Sequence, residues 1–295
     1  MTRPSRIPIL LCLSFLTAAC SQLQASATPS IAPSPTPLPR SAPATATPVP
    51  TLTRPPLPTA TPEPDDTGWR ALAPGVEWRR LWADTAAGRE RLRLVRIEPS
   101  QVRLRVVYQP SHPRKVSQWA TALPNALVVV NAGYFTAEYR AMGLIVSDGV
   151  PAGRSYDDFA GMLAVDTDDQ VTLRWMRTWP LQPDERLAQA VQSFPVLVKP
   201  GGLMGFPPDA DEGQPSRRTV VAQDTAGRII MLVGPEFRFS LHELATWLAE
   251  SDLQPDIALN LDGGTSTGLW ISGHDEQIDS HVPVPAVIVF EPAGG

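Results

Sequence analysis

Cysteine, histidine and lysine are scarce in this 295-residue chain, and each shortage excludes a class of site. The only two cysteines, Cys12 and Cys20, lie within the first 20 residues. The rest of the chain therefore has no disulfide, no cysteine nucleophile and no thiolate metal site. The four histidines are scattered and form no HExxH-like ligand pair. We therefore predict neither a cofactor nor a bound metal.

Positive charge is also sparse in the part of the chain that can fold. Residues 65–295 carry 21 basic and 29 acidic side chains, a net charge of −8, and their only lysines are Lys115 and Lys199. Proteins that bind nucleic acid need clustered lysine and arginine to contact phosphates. The composition therefore predicts that nucleic acid is not a partner.

The first 20 residues resemble a bacterial lipoprotein signal peptide. Arg3 and Arg6 precede an apolar run at residues 7–19, which is too short to span a membrane comfortably. Small residues then precede Cys20, as in a lipobox, whose cysteine is lipidated. We expect a signal peptide at residues 1–20 and an extracytoplasmic protein anchored to a bacterial cell membrane through Cys20. An ordinary cleaved signal and an uncleaved anchor are the alternatives.

Residues 21–66 are predicted to form a disordered linker. Between Pro29 and Pro64, 13 of 36 residues are proline and 10 are serine or threonine, and residues 21–68 contain no aromatic side chain. Such a segment buries too little apolar surface to offset the entropy lost on ordering. We expect it to act as a stalk that holds a single folded domain, residues 67–295, away from the membrane.

Strand patterns dominate residues 67–295. Residues 90–98 and 102–109 alternate polar and apolar side chains, as half-buried strands do. Continuous apolar runs at 126–130 and 257–261 are typical of strands that are covered on both faces. Further strands are predicted at 143–147, 194–199, 268–272 and 285–290, and hairpins at 162–176 and 219–233.

Two helices are predicted between these strands. Residues 115–123 form an amphipathic segment, and Ser240 is followed three residues later by Glu243, a capping box. An apolar stripe from Leu241 to Leu248 has helical spacing, and the helix should end near Ser251. Because the strands outnumber the helices without a βαβ repeat, we expect an α+β fold: one large, mixed but mostly antiparallel sheet with two or three helices.

Two covered strands run into polar, glycine-containing segments, Asn131–Phe135 and Asn260–Thr267. Gly263 and Gly264 allow the backbone to approach a ligand closely. Ser266 and Thr267 supply hydroxyl groups, and their amides are suited to an anion-binding nest. The residues alone leave two interpretations open, a ligand site or plain turns that asparagine and aspartate cap.

The same segments resemble conserved blocks of phosphodiester glycosidase domains. In chain order, the similar blocks are Asn131–Phe135 with Met142–Gly149, Ser193–Val198, Arg218–Thr219, Ser240–Ala245 and Ala258–Gly264. Their order and spacing agree over roughly residues 90–290. One departure is Thr265, which stands where these domains often have a third glycine. The resemblance implies cleavage of the glycosidic bond of a sugar-1-phosphodiester.

The resemblance also implies roles for individual residues. Asp262 would be the essential carboxylate, and Arg218 would bind the phosphate bidentately, with Arg217 as its substitute. Substrate-binding residues would be Asn131, Gly133, Asn260, Gly263, Gly264, Ser266 and Thr267. The two asparagines would hold sugar hydroxyls or an acetamido group.

A second carboxylate is normally needed to cleave a glycosidic bond, and the sequence does not single one out. The candidates are Glu138, Asp157 and Asp158, each of which also suits an exposed loop. Tyr134 and Phe135 could stack on a sugar, although aromatic residues at strand ends also serve the core.

These inferences predict a surface-anchored hydrolase that acts on a sugar phosphodiester of an extracellular glycan or glycolipid. Two other interpretations remain. The same fold could be a non-catalytic module that binds envelope or matrix polysaccharide, or the enzyme could attack the phosphorus atom instead of the sugar carbon.

Overall fold

The computed structural model describes residues 64–294. The predicted signal peptide, the lipidation site Cys20 and the predicted linker as far as residue 63 lie outside these residues. Asp66, which falls in the predicted linker, forms a bridge with Leu81 and accepts hydrogen bonds of 2.9 and 2.6 Å from Arg79. The folded region therefore already includes residues just before position 67. None of its helices is long and apolar enough to cross a membrane.

The described residues form 17 strands and two α-helices. The strands are β1 Arg70–Ala73, β2 Val76–Thr85, β3 Gly88–Ile97, β4 Val102–Tyr108, β5 Val128–Asn131, β6 Ile145–Ser147, β7 Val150–Ala152, β8 Gly161–Asp166, β9 Val171–Trp175, β10 Leu187–Ser193, β11 Val196–Lys199, β12 Leu203–Met204, β13 Ser216–Asp224, β14 Ile229–Phe239, β15 Pro255–Asn260, β16 Leu269–Ile271 and β17 Ala286–Pro292. The helices are α1 Val116–Ala122 and α2 Leu241–Glu250, with short 3-10 helices at Pro208–Ala210 and Gly264–Ser266.

The mostly antiparallel strands and the two helices that we expected are confirmed, but the strands form three sheets, so the expectation of one large mixed sheet was wrong. The sheets have the orders β1-β2-β3-β14-β13-β15-β11-β12, β7-β6-β10-β8-β9 and β16-β5-β17-β4. Each strand pair within the described region is antiparallel. The main apolar core contains side chains from all three sheets. Strands of separate sheets that share one core show the same alternation of polar and apolar side chains as strands of one continuous sheet, so the sequence pattern does not distinguish the two.

Consecutive strands often belong to different sheets. The turn after Ile97 carries the chain from β3, which pairs with β14, to β4, which pairs with β17. The predicted hairpins are confirmed, because β8 pairs with β9 and β13 with β14. Strands β3 and β4, from the first half of the chain, thus pair with strands from its second half in two different sheets.

Helix α2 covers one face of the eight-stranded sheet, and its predicted capping box is confirmed. The Ser240 hydroxyl accepts a hydrogen bond from the Glu243 amide at 3.2 Å, and the Glu243 carboxylate accepts one from the Ser240 amide at 3.0 Å. Leu244 and Leu248 of its apolar stripe are buried against this sheet. Helix α2 therefore defines the helix-covered face, on which the site lies.

Candidate functional site

The structure brings the two predicted polar segments together at the ends of β5 and β15. The Asp262 amide donates to the Ala132 carbonyl at 3.1 Å, and the Leu261 amide donates to the Thr219 carbonyl at 2.9 Å. The loop at residues 262–267 is therefore attached both to the segment after β5 and to β13. These backbone bonds place Asp262 beside residues that are far from it in sequence.

Asn131 is a positioning residue inside the protein. It is 1% exposed, and its Nδ2 donates to the Asp262 carbonyl at 2.6 Å. Its Oδ1 accepts from the Thr219 hydroxyl at 2.9 Å and from the Gly268 amide at 3.0 Å. In place of the sugar contact that the resemblance implies, both ends of the amide hold the start and the end of the Asp262 loop.

The Asn260 side chain lies on the face of the eight-stranded sheet that α2 covers. It is paired with Val220, which belongs to the apolar cluster under α2, and paired residues share a face. Its Nδ2 donates to the Tyr134 hydroxyl at 2.7 Å and to the Phe194 carbonyl at 3.2 Å. Its Oδ1 is buried and has no hydrogen-bond partner among the described residues. Asn260 therefore retains an acceptor that a ligand could use.

Asp262 lies in a pocket that favours its neutral form. Burial raises the pKa of this carboxyl from its ordinary 3.8 to about 6, although hydrogen bonds from the Ser266 hydroxyl and the Gly263 amide act in the opposite direction. The Gly263 amide donates to Oδ1 at 2.9 Å. A carboxyl group that titrates this close to neutral pH is suited to exchange protons during a reaction.

Three predicted glycines are needed, two because the backbone is crowded and one because of its backbone conformation. A Cβ atom on Gly263 would lie 2.7 Å from the Arg217 carbonyl oxygen, and one on Gly133 would lie 2.9 Å from the Gln192 carbonyl oxygen. Gly264 has a φ of +59°, in the left-handed region. These glycines therefore shape the site, although a direct substrate contact by any of them remains a prediction.

The predicted anion-binding nest does not form at Ser266, because its amide already donates to the Gly263 carbonyl at 3.1 Å. Thr267 is fully buried, and its hydroxyl lies 3.3 Å from that of Thr219. Thr265, in the place of the third glycine, is exposed. The Ser266 hydroxyl thus forms a hydrogen bond with the Asp262 carboxyl, whereas the Thr267 hydroxyl contacts Thr219 inside the protein.

Arg218 lies on the same face as Asn260 and is held by backbone carbonyls. Its Nε donates to Phe239 at 3.0 Å and its Nη2 to Gln214 at 2.9 Å, while its Nη1 has no hydrogen-bond partner in the described region. No carboxylate there forms an ion pair with it. A fixed guanidinium with a free amino group is suited to bind a phosphate.

Arg217 cannot replace Arg218, so this part of the prediction was wrong. Successive side chains of a strand point to opposite faces, and Arg217 is 3% exposed. Its Nε donates to the Pro235 carbonyl at 2.9 Å and its Nη2 to the Asp279 carbonyl at 3.1 Å. Arg217 supports the backbone beneath the Asp262 loop.

The Tyr134 hydroxyl is a site group that sequence reasoning missed. Burial is the main cause that raises its pKa to about 12; the charge of Asp262 raises it further, while Arg218 and the hydrogen bond from Asn260 lower it. Tyr134 therefore lies in the fields of both the carboxyl and the guanidinium. Because its oxygen accepts from Asn260, its hydrogen is free to be donated. Its ring stacks on Phe194 with centroids 4.7 Å apart.

None of the three candidates for a second carboxylate contacts Asp262 or Arg218 in the described part of the chain. Glu138, Asp157 and Asp158 are exposed. Burial lowers the pKa of Arg218, and the charges of Tyr134 and Asp211 act in the opposite direction, so Asp211 is the carboxylate whose charge acts on Arg218. No group of three or more potential metal ligands occurs among residues 64–294.

Three solved structures share this fold. The catalytic domain of zebrafish N-acetylglucosamine-1-phosphodiester alpha-N-acetylglucosaminidase, auto-inhibited by its pro-peptide, is 17% identical, with a TM-score of 0.59 over 76% of this chain and 86% of that chain. A hypothetical protein from Synechocystis is 17% identical, with a TM-score of 0.51 over 74% of this chain and 62% of that chain. An exported protein from Burkholderia pseudomallei is 14% identical, with a TM-score of 0.50 over 71% of this chain and 76% of that chain.

Sequence comparisons give a more specific result for the family. No curated protein matches the chain. The family model for phosphodiester glycosidases matches residues 124–291, which is more than half of the chain and includes β5, β13, β15 and the Asp262 loop. The protein is therefore a member of the phosphodiester glycosidase family.

Proposed function

We propose that this protein hydrolyses the glycosidic bond of a sugar-1-phosphodiester. The observation that carries the proposal is that Arg218, held by two backbone carbonyls, shares a sheet face with Asn260, whose amide binds the Tyr134 hydroxyl at 2.7 Å just before Asp262. A carboxyl group and a cation that both act on one hydroxyl suit a substrate that carries both a reacting sugar carbon and a phosphate.

Each group has a task in that reaction. Breaking the bond between C1 and oxygen builds positive charge on the sugar, which the ionised Asp262 stabilises. The electron pair of the broken bond stays on the phosphate oxygen. Water supplies the hydroxyl that ends on C1, and its remaining proton passes to the solvent. A phosphate leaving group needs charge stabilisation more than protonation, and the free Nη1 of Arg218 provides it.

Asn260 and Tyr134 would orient the substrate between these two charges. The unpartnered Oδ1 of Asn260 can accept a hydrogen bond from a sugar hydroxyl or an acetamido N–H. The Tyr134 hydroxyl, which accepts from Asn260, can donate to a substrate oxygen. Together they supply one acceptor and one donor in a largely desolvated position, where such bonds are most discriminating.

Hydrolysis in ¹⁸O-labelled water tests this proposal directly. The first substrate is an α-N-acetylglucosamine 1-phosphodiester, the class in the name of the zebrafish protein, followed by other sugar-1-phosphodiesters. We expect the label on the sugar carbon, and label on phosphate would instead establish attack at phosphorus. Asp262→Asn should abolish turnover, while Asp184→Asn, an exposed matched change, should not. Glycan binding without turnover of any ester would support the non-catalytic module.

We also propose that the protein acts outside the cytoplasm, anchored through Cys20, on a glycan or glycolipid phosphodiester. The support is the apolar run at residues 7–19, which ends in small residues directly before Cys20. The intact mass of membrane-extracted protein should show a diacylglyceryl group on a chain that begins at Cys20. A mature protein that begins elsewhere and lacks lipid would rule out this anchor.

A further inference from the structure

A cavity of about 250 Å³ opens beside the aromatic residues of the site. Arg177 and Lys199 line it together with Trp175, and Phe159 and Phe206 complete most of its wall. It is smaller than the roughly 300–1,000 Å³ of pockets for drug-sized ligands. The cavity therefore suits a small group on a larger substrate.

Two positive charges are held around one ring in this cavity. The Arg177 Cζ lies 5.6 Å and the Lys199 Nζ 5.2 Å from the centroid of Trp175. Neither cation forms an ion pair with a carboxylate among the described residues. Contact with the ring limits where each charge can lie without neutralising it. In a domain with only two lysines, the cavity thus combines two unneutralised cations.

Asp158 also lines the cavity, but its carboxylate is turned to the backbone. Its Oδ1 accepts a hydrogen bond of 2.8 Å from the Phe159 amide. This contact satisfies one carboxylate oxygen locally, and the side chain is exposed to solvent. The charged side chains that line the cavity, Arg177, Lys199 and Asp158, therefore sum to a net charge of +1.

Ring contacts connect the cavity to the catalytic residues. Phe159, which is 46% exposed, meets Phe194 edge-on with centroids 5.3 Å apart. Phe194 stacks on Tyr134, and its carbonyl accepts the hydrogen bond from Asn260. Two successive ring contacts therefore connect the cavity to the ring of Tyr134.

Hydrogen bonds provide a second connection, on the side of Arg218. The Phe206 carbonyl lies 2.9 Å from Nδ1 of His242, whose amide donates to the Asp211 carboxylate at 2.9 Å. Asp211 is the carboxylate whose charge acts on Arg218. This series of contacts runs from the wall of the cavity to the residue that would bind the phosphate of the substrate.

We propose that this cavity binds an anionic group, a phosphate or a carboxylate, on the alcohol that leaves with the phosphate. The inference rests on the proposed function and narrows its substrate class to phosphodiesters whose leaving group carries a second negative charge. Arg177 supplies donors that suit an oxyanion bidentately, and Lys199 supplies a point charge. Because Trp175 already holds both cations in position, their side chains lose little conformational entropy when the anionic group binds.

A matched pair of substrates tests this inference. One is α-N-acetylglucosamine 1-phosphate esterified with ethylene glycol, and the other is the same ester with a terminal phosphate on the glycol. We expect kcat/KM to be higher for the phosphorylated ester by about tenfold or more, as for a charge-assisted contact. In the double variant Arg177→Gln and Lys199→Gln, the ratio should fall to about one. Arg103→Gln, which removes an exposed charge from β4, should keep the ratio.

Calorimetry with the two products that would carry the phosphate, ethylene glycol monophosphate and ethylene glycol bisphosphate, separates this inference from the proposed function. Ethylene glycol bisphosphate should bind wild-type protein more tightly than the monophosphate, and the double variant should lose the difference. If neither ester is hydrolysed but this pattern appears, the proposed function is wrong and the anion site stands. Equal affinities of the two products, or a preference that survives in the double variant, would overturn the anion site whether or not the esters are hydrolysed.

Discussion

Asp262→Asn should make this protein more stable at neutral pH while it removes activity. The folded chain keeps a proton on Asp262 up to a pKa of about 6, whereas the unfolded chain releases it near the ordinary 3.8. Between these values the folded state binds more protons, so its stability falls as the pH rises. Above pH 6 the folded protein carries the full cost of a buried carboxylate, and below 3.8 that cost is gone.

The size of this cost follows from the two pKa values. At about 1.36 kcal/mol per pKa unit, a rise from 3.8 to about 6 corresponds to about 3 kcal/mol at pH 7. The same relation leaves only about 0.5 kcal/mol at pH 4. An asparagine never ionises, and it can still accept the hydrogen bond that the Gly263 amide donates. The variant therefore avoids the cost without losing this contact.

Urea denaturation followed by tryptophan fluorescence at pH 7 and pH 4 measures the effect. We expect Asp262→Asn to exceed the wild type by up to about 3 kcal/mol at pH 7 and to approach it at pH 4. Asp184→Asn, an exposed control, should show no such pH dependence. A variant that is less stable than wild type at pH 7, or a difference that is independent of pH, would refute burial as the cause of the raised pKa.

Four further changes test the remaining contacts. Arg218→Gln should lower kcat/KM for a sugar-1-phosphodiester by about 100-fold or more in steady-state assays, because a preorganised cation is lost. Tyr134→Phe should lower it by about 10- to 100-fold without moving the acid limb of the pH–rate profile, which belongs to Asp262. Asn131→Ala should cost about 3 kcal/mol in urea denaturation, since buried partners lose their acceptor. Ser240→Ala should cost about 1 kcal/mol, which calorimetry would detect as a fall in Tm of about 2–4 °C.

Local signals made the loop and the helix predictable. The capping box at Ser240 and the left-handed turn at Gly264 act within a few residues of their own position, so the sequence alone reveals them. The Tyr134 hydroxyl is different, because its partner Asn260 lies 126 positions away. Only the tertiary fold could identify that hydroxyl as a site group.

The two neighbouring arginines show a further limit. Strand alternation predicts that Arg217 and Arg218 face opposite sides, but the side on which the site lies depends on the pairing of β13 with β14. An irregularity in that pairing falls between Ser216 and Arg218. Such irregularities leave no pattern in a single sequence, so the sequence could not decide which arginine faces the site.

Strand β10 escaped prediction because it contains buried polar side chains. Gln189 and Gln192 are 4% and 1% exposed, and their amides bind backbone groups of neighbouring segments. A buried glutamine and an exposed one look the same in a hydrophobicity pattern. The division into three sheets could not be predicted for a related reason. Alternation of polar and apolar side chains shows that one face of a strand is buried, but it does not identify the neighbouring strand.

The pairing of β3 with β14 and of β4 with β17 determines where this domain can be truncated. The family match begins at residue 124, after both β3 and β4. A fragment that began there would leave one edge of β14 at residues 229–233 and one edge of β17 at residues 286–292 without a neighbouring strand. Two open edges of apolar strands are templates for aggregation. The segment that carries the family's signature therefore depends on earlier strands to remain soluble, and those strands act as its built-in edge protection.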